Sequence, residues 1–360
     1  MRSTVLVTAE NETTLLEALD TDSSIAIDTE FMRERTYFAQ LCLVQIATAS
    51  TTYFVDPLEH EDLGKVWNRL LSRSWVLHSG RQDIEVIYQL TGSMPKALFD
   101  TQIAAALLGH APQLGYAGLV HDLFGKELAK SQTRADWTRR PLPQAMLDYA
   151  AEDVEYLLEA SEKLTEALAE RSRLDWAVED SAALLNPELY SVDPSSAEGR
   201  LKGARNLRGK SRTAALALAR WRESRALKSN RPRQWILRDS VLLEIAQSFP
   251  RDETALARID GMPAAVVRRS GQELLKLLAE AANGNHDYRP PPRPGEREKA
   301  LLKVMQKVVA DEAGQLGIAA EIIAPRKELA AMMMGSRDAR CLSGWRREII
   351  GLKILELLDD

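Results

Sequence analysis

Two carboxylates separated by one residue, Asp28 and Glu30, follow the apolar stretch 25–27. Such a stretch is typical of a buried strand, and side chains two positions apart on a strand share a face. Asp28 and Glu30 are therefore expected to project together from the end of a core strand. Close carboxylates repel each other unless a cation lies between them, and oxygen ligands suit Mg²⁺ or Mn²⁺. Taken alone, the pattern more often marks a strand that ends in a solvated loop.

Two further acidic positions bear on whether Asp28 and Glu30 form a cation site. Asp83 begins a helix directly after the predicted strand 74–78, near the edge of the sheet where sites of such folds gather. By itself, Asp83 is explained as well by the helix dipole, which favours acids in a first turn. Tyr149 and Asp153 are four residues apart and share one face of a long helix predicted for 143–169. That face is otherwise apolar and packs inward, so Asp153 needs a partner or a metal ion.

The elements that must position these acids follow from the periodicity of the chain. Closely spaced strands favour an antiparallel meander, and the later alternation of strands with helices predicts an α/β domain with a mixed sheet. From residue 207 onward the pattern is helical, and the proline-rich segment 289–295 reads as an extended linker. The predicted strands are 2–8, 24–30, 41–47, 52–56 and 74–78.

The chain length of 360 residues predicts two or three domains. The sequence lacks a run of about 18 apolar residues and an N-terminal secretory pattern, so neither a membrane span nor export is expected. Cys42 and Cys341 are the only cysteines, and their separation makes a disulfide improbable. A reducing, cytoplasmic compartment is expected, and no Cys/His spacing indicates a zinc site.

Charge is distributed unevenly along the chain. Residues 1–170 contain 14 lysines and arginines against 26 acids, a net charge of −12. Residues 200–240 contain 13 lysines and arginines against two acids, a net charge of +11, together with Trp221 and Trp235. This asymmetry indicates either a polyanionic partner such as nucleic acid or a solvated basic helix followed by a basic loop.

The acids and their surroundings resemble a known family. Asp28-Thr29-Glu30, Asp83 and the Tyr149/Asp153 pair resemble the three exonuclease motifs of the DEDD superfamily, in its tyrosine-containing branch. Within that superfamily, the chain is similar to the ribonuclease D family, and its helical part resembles the helicase-and-RNase-D C-terminal (HRDC) domain, clearly in a first copy and weakly in a second. The stretches that carry the ribonuclease D resemblance are 26–37, 41–46, 78–83 and 137–142.

The resemblance implies a fold and a domain order. It implies an α/β RNase H-like exonuclease domain with a mixed sheet, followed by two small all-α HRDC-like domains. The expected boundaries are 1–170 for the exonuclease domain, 171–206 for a connector, 207–286 for the first HRDC domain, 287–295 for a linker and 296–360 for the second HRDC-like domain.

The resemblance also implies an activity, namely 3′→5′ hydrolysis of RNA with release of nucleoside 5′-monophosphates. Expected substrates are single-stranded 3′ ends, those of tRNA precursors in particular, with no obligate protein partner. Two divalent cations, Mg²⁺ or Mn²⁺, are expected, and two cations can both activate water and stabilise the leaving oxygen. By resemblance, Asp28 bridges the two cations, Glu30 and Asp153 complete the water-activating site, and Asp83 holds the second cation. Tyr149 then orients the attacking water or helps to deprotonate it, and the ordinary phenol pKa near 10 favours orientation.

Contacts to the RNA strand are predicted around the carboxylates. Arginines and aromatic rings hold single-stranded RNA through phosphates and stacked bases. Packing or solvation explains most of the candidates equally well, and for His78 a structural role is favoured. Two other functions stay open, a 3′→5′ DNA exonuclease and a non-catalytic RNA-binding adaptor. The candidate substrate contacts are Thr29, Phe31, His78, Arg134, Trp137, Arg139 and Arg140.

Overall fold

The computed structural model describes residues 2–60, 62–128, 135–284 and 295–359. The described chain forms two compact units, and each is assembled from separate stretches of sequence. No helix within these described ranges has the length and apolar character needed to cross a membrane. Among the described residues, the first unit is drawn from 1–32, 41–190 and 293–360, and the second from 33–40 and 191–292.

A six-stranded sheet of order β1-β4-β3-β2-β5-β6 forms the centre of the first unit. β1 is parallel to β4, β4 is antiparallel to β3, and β2, β5 and β6 run parallel to one another. The predicted mixed sheet is therefore confirmed, and the strand that carries Asp28 and Glu30 lies inside it rather than at an edge. The strands are β1 (Ser3–Leu6), β2 (Ser24–Met32), β3 (Gln40–Ala47), β4 (Thr51–Val55), β5 (Ser74–Leu77) and β6 (Ala97–Asp100).

Eight helices accompany the sheet among the described residues up to 190. They are α1 (Glu12–Thr21), α2 (Gly64–Leu71), α3 (Arg81–Thr91), α4 (Thr101–Leu107), α5 (Tyr116–Phe124), α6 (Gln144–Glu155), α7 (Leu157–Glu170) and α8 (Leu174–Ala183). α6 and α7 cover one face of the sheet, where Val154 and Leu157 pack against Ala26 of β2, Ala47 of β3 and Val76 of β5.

Two predictions about these elements were wrong. The strand β6 was missed, because its four residues include no β-branched side chain and lead directly into a helix. The single helix predicted for 143–169 is two helices that meet at Tyr156. The Tyr156 amide donates its hydrogen bond to the Tyr116 hydroxyl over 3.0 Å, which interrupts the helical series of backbone bonds.

The C-terminal helices of the chain belong to the first unit. Met305 and Val309 share one apolar cluster with Leu107 of α4 and Leu164 of α7. Trp345 also stacks on Trp176 of α8, with 4.3 Å between ring centroids. Residues 295–359 therefore complete the core that supports the sheet, while the predicted boundary at 296 stays a prediction. These helices are α15 (Glu296–Leu316), α16 (Ala320–Ile323), α17 (Arg326–Met333), α18 (Gly344–Arg346) and α19 (Leu352–Asp359).

The second unit is helical and has its own apolar core, which includes Leu218, Leu242 and Leu274. Residues 33–40 belong to it, although they connect β2 to β3. The Tyr37 hydroxyl donates to the Glu223 carboxylate, and the Asn230 side-chain oxygen accepts from the Tyr37 and Phe38 amides. Its helices are α9 (Ala197–Arg200), α10 (Gly209–Ser229), α11 (Arg233–Ile236), α12 (Asp239–Ser248), α13 (Glu253–Ala257) and α14 (Ala264–Asn283).

Candidate active site

Three of the predicted acids meet between the sheet and α6. Asp28 and Glu30 lie near the end of β2, and Asp153 lies in the last turn of α6. One carboxylate oxygen from each lies within 4.8 Å of the other two. The spacing of two on a strand and the inward face of a helix thus bring three acids to one point, as the sequence predicted.

Local contacts fix the end of α6 that carries Asp153. The Tyr149 hydroxyl, one turn earlier, hydrogen-bonds the Asp153 carboxylate. Two residues after Asp153, the Glu155 carbonyl accepts from the Arg2 guanidinium, and the next amide donates to the Tyr116 hydroxyl. The last turn of α6 is therefore held by Arg2, which precedes β1, and by Tyr116 of α5, both distant in sequence.

The electrostatics of this cluster are those of like charges removed from water. Burial, and then the charges of Asp83, Asp153 and Glu30, raise the pKa of Asp28 well above its usual value. Burial, and then the charges of Asp153 and Asp83, raise the pKa of Glu30 to about 8. Burial raises the pKa of Asp153 to about 7, against the opposing hydrogen bond from Tyr149. The neighbouring charges that act on these three groups are all acidic.

Asp83 lies beside this group, and its carboxylate is held separately. It is in the first turn of α3, is 7% exposed, and accepts a hydrogen bond from the Thr29 hydroxyl. Burial raises its pKa to about 6, and the Thr29 hydroxyl opposes that shift. Asp83 is not part of the three-oxygen group, but its charge raises the pKa of both Asp28 and Glu30.

The donor set fits a divalent cation. Asp28, Glu30 and Asp153 offer three converging carboxylate oxygens, and hard cations such as Mg²⁺ and Mn²⁺ prefer oxygen ligands. Buried carboxylates without a counter-charge are costly, and a bound cation removes that cost. The residues that the structure brings together therefore match the divalent metal that the resemblance implies.

Two of the predicted substrate contacts, Trp137 and Arg140, are engaged by other parts of the protein. Trp137 is 3% exposed and packs with Cys42 and Met146, so it cannot offer a face to a base. The Arg140 guanidinium donates to the Cys42 carbonyl over 2.8 Å and forms a two-point ion pair with Asp56. Both predictions relied on the position of a loop, whereas long-range contacts turn these side chains inward.

The side chains of Thr29 and His78 also have partners within the protein. The Thr29 side chain is buried, and its hydroxyl is used by Asp83. The two ring nitrogens of His78 lie 2.9 Å from the Thr101 hydroxyl and the Leu114 carbonyl. Burial lowers the pKa of His78, which favours the neutral ring. His78 thus connects β5 to α4 and to the segment before α5.

The other predicted substrate contacts stay predictions. Phe31 is half-buried and directly follows Glu30 on β2. Arg139 is exposed. Arg134 lies outside the described residues.

The sequence did not reveal two residues that support the site. The Tyr116 hydroxyl accepts the Tyr156 amide, and its ring lies 5.7 Å from that of His78. A lone tyrosine after a glycine gave no signal. The Asp100 carboxylate caps α4 and accepts the amides of Ser79 and Gly80 in the turn before Asp83. An aspartate before a helix start is an N-cap signal that could have identified it.

Comparisons with known proteins agree with this arrangement. A family model described as a 3′-5′ exonuclease matches residues 4–169, and one for the HRDC domain matches residues 212–278. Ribonuclease D of Granulibacter bethesdensis is 37% identical over 98% of this chain and 92% of its own length. Ribonuclease D of Pseudomonas paraeruginosa is 36% identical over 94% of this chain and 93% of its own length.

A solved structure gives the same result for the fold. Escherichia coli RNase D, described as an exoribonuclease involved in structured RNA processing, superposes with a TM-score of 0.86 at 29% identity. The match covers 100% of this chain and 99% of that protein. With relatives above 30% identity over nearly its whole length, the chain belongs to the ribonuclease D family of 3′→5′ exoribonucleases.

Proposed function

We propose that this exoribonuclease hydrolyses RNA with two divalent cations, Mg²⁺ or Mn²⁺, held by Asp28, Glu30, Asp83 and Asp153. The observation that carries the proposal is the convergence of three carboxylate oxygens within 4.8 Å. Asp28, Glu30 and Asp153 would hold one cation, and Asp28 and Asp83 would hold the other. When bound, such a pair of cations generates a nucleophilic water near neutral pH and stabilises the leaving 3′-oxygen.

Tyr149 orients the attacking water in this proposal. Burial, and then the charge of Asp153, raise the pKa of Tyr149 further above its ordinary value near 10. The hydroxyl therefore keeps its proton at neutral pH and serves as a hydrogen-bond donor. Its bond to Asp153 fixes the ring beside the cluster, so the phenol positions a water without acting as a base.

A cation titration tests the assignment of ligands. Calorimetric titration of the metal-free protein with Mn²⁺ is expected to give two sites. Asp83→Asn is expected to leave one site, whereas Asp28→Asn weakens both because Asp28 bridges them. A wild-type stoichiometry of one, or two sites remaining in Asp83→Asn, contradicts the proposal.

We infer that the substrates are 3′ ends of structured RNA, such as tRNA precursors, and that residues 200–240 help to bind them. Both acids in this block are neutralised internally, Glu223 by Arg200 and Arg233 and Asp239 by Arg222. Ten of its 13 basic residues are exposed. The surplus positive charge is thus available to phosphates, while the carboxylate cluster repels them until cations are bound.

Neutralisation of exposed basic residues tests the RNA contact. Lys202, Arg205 and Arg238 are exposed, and replacing all three with glutamine is expected to weaken RNA binding. Each lost phosphate contact lowers the slope of log K against log salt by about 0.7 for a single strand. Fluorescence anisotropy at several salt concentrations measures both changes. Lys276→Gln, an exposed residue of α14, is the matched control, and an unchanged slope in the triple variant contradicts the inference.

A digestion experiment tests the substrate. A 5′-labelled tRNA with a 3′ extension is expected to shorten one nucleotide at a time, with nucleoside 5′-monophosphates as products and complete inhibition by EDTA. A DNA strand of the same sequence is the comparison. Equal rates on DNA would favour a general 3′→5′ exonuclease over the RNA-specific assignment.

A further inference from the structure

Gln45 of β3 is fully buried, at 0% exposure, and the other buried residues of this strand are all apolar. Neither its side-chain oxygen nor its side-chain nitrogen has a hydrogen-bond partner among the described residues. Buried polar groups are almost always paired, because an unpaired donor or acceptor loses its bonds to water without replacement. The fold alone would be served better by an apolar side chain, so the carboxamide calls for a different explanation.

The side chain of Gln45 faces α6 and α7. Its neighbour across the antiparallel pair is Phe54 of β4, and such neighbours share a face of the sheet. Phe54 packs with Met146 and Ala150 of α6. Two residues further along β3, Ala47 packs with residues of α6 and α7. Gln45 therefore points into the layer that also contains Asp153.

Asp28 is on the same face of the sheet, on the strand next to that of Gln45. Ala26 of β2 and Ala47 of β3 share one cluster, and Asp28 lies two residues after Ala26. β2 and β3 are neighbours joined by residues 33–39 alone, which is too short for a parallel crossover, so they run antiparallel. In antiparallel strands, two residues forward on β2 and two residues back on β3 run in the same direction. Asp28 and Gln45 are therefore displaced in the same direction from the cluster that contains Ala26 and Ala47.

We propose that Gln45 is a positioning residue for the metal site, whose carboxamide hydrogen-bonds the oxygen ligands around Asp28 when a divalent cation is bound. This inference rests on Asp28 as a metal ligand, as given under the proposed function. A fixed donor beside a ligating carboxylate selects its orientation and strengthens binding. Loss of such outer partners typically lowers metal affinity about 10- to 100-fold.

Removal of the carboxamide without loss of volume tests the inference. Gln45→Met and Gln45→Leu are expected to lower Mn²⁺ affinity about 10- to 100-fold in calorimetric titration of the metal-free protein. The midpoint of thermal unfolding without metal is expected to stay the same or rise, because an unpaired polar group is removed. A purely structural residue would not give this combination.

Thr52 of β4 offers a matched control. It is also fully buried, its hydroxyl also lacks a partner among the described residues, and it lies opposite Ala47. β3 separates its strand from β2. Thr52→Val is therefore expected to leave Mn²⁺ affinity unchanged while it removes a comparable buried polar group.

Three results would overturn the inference. They are wild-type Mn²⁺ affinity in a folded Gln45 variant, an equal loss of affinity in Thr52→Val, and failure of both Gln45 variants to fold. The last would assign the carboxamide to the fold. Asp28→Asn is titrated in parallel, and retained metal binding in that variant refutes the proposed ligand set itself, separately from Gln45.

Discussion

Two regions of the molecule bury carboxylates, and they treat them in opposite ways. Glu223 of the second unit is fully buried, and it accepts from the Tyr37 hydroxyl and pairs with the guanidinium groups of Arg200 and Arg233. Asp28 of the first unit is half-buried, and the charges that act on it are those of other acids. One region supplies its own counter-charge, and the other concentrates like charges.

The difference separates an acid that serves the fold from acids that serve chemistry. A buried ion pair is compensated within the chain, and removal of one partner leaves the others uncompensated. A cluster of uncompensated carboxylates is unfavourable without an external cation, and such strained groups gather at functional sites. Burial alone therefore does not identify a site, whereas burial together with the sign of the neighbouring charges does.

Asp28→Asn is expected to give the largest effect. Hydrolysis of RNA should fall by more than about 10³-fold, which corresponds to about 4 kcal/mol of transition-state stabilisation. Binding of RNA in Ca²⁺ should persist, and the metal-free protein should be at least as stable as wild type, because one repelling charge is removed. Single-turnover kinetics and thermal unfolding measure the two quantities. Normal turnover by a clean preparation would refute the metal-site assignment.

Glu223→Gln is expected to show the opposite pattern. The substitution keeps the shape but removes the charge that two arginines face, and one of these, Arg200, is half-exposed and can be rehydrated. The free energy of unfolding should therefore fall by about 1–3 kcal/mol. Urea denaturation measures this change, and hydrolysis at low temperature should stay within a few-fold of wild type. An inactive but fully stable variant would break the distinction between the two regions.

The pH dependence of stability gives a smaller and more gradual effect. The pKa of Glu30 is raised to about 8, that of Asp153 to about 7 and that of Asp83 to about 6, so the folded protein holds protons that the unfolded chain releases. Stability of the metal-free protein should therefore fall as pH rises from about 4 to about 8. Added Mg²⁺ should restore stability most at the upper end of that range.

Thermal unfolding across this pH range, with and without Mg²⁺, measures the effect. Glu223→Gln is the control, since its removal should lower stability at each pH and leave the slope in place. Asp153→Asn should flatten the slope. A metal-free protein whose stability does not change between pH 5 and pH 8 would show that the cluster is more hydrated than its burial indicates.

The sequence was informative where the pattern is local and periodic. Asp28 and Glu30 were placed on one face by the period of a strand, and Asp153 was placed inward by the period of a helix. Contacts between distant segments carry no such period. Arg140 lies next to Trp137 in a polar loop, yet its partner is Asp56, and only the folded chain brings them together. The break at Tyr156 has the same origin.

The segment 33–40 has a consequence for how this protein can be divided. This segment belongs to the second unit, although the strands before and after it belong to the first. The C-terminal helices also belong to the first unit, so the chain passes between the units four times. No single cut separates them. A fragment that stops at residue 190 would lack the helices that pack against α4 and α7 and would leave Tyr37 without Glu223. Truncation of this protein is thus a test of folding before it is a test of RNA binding.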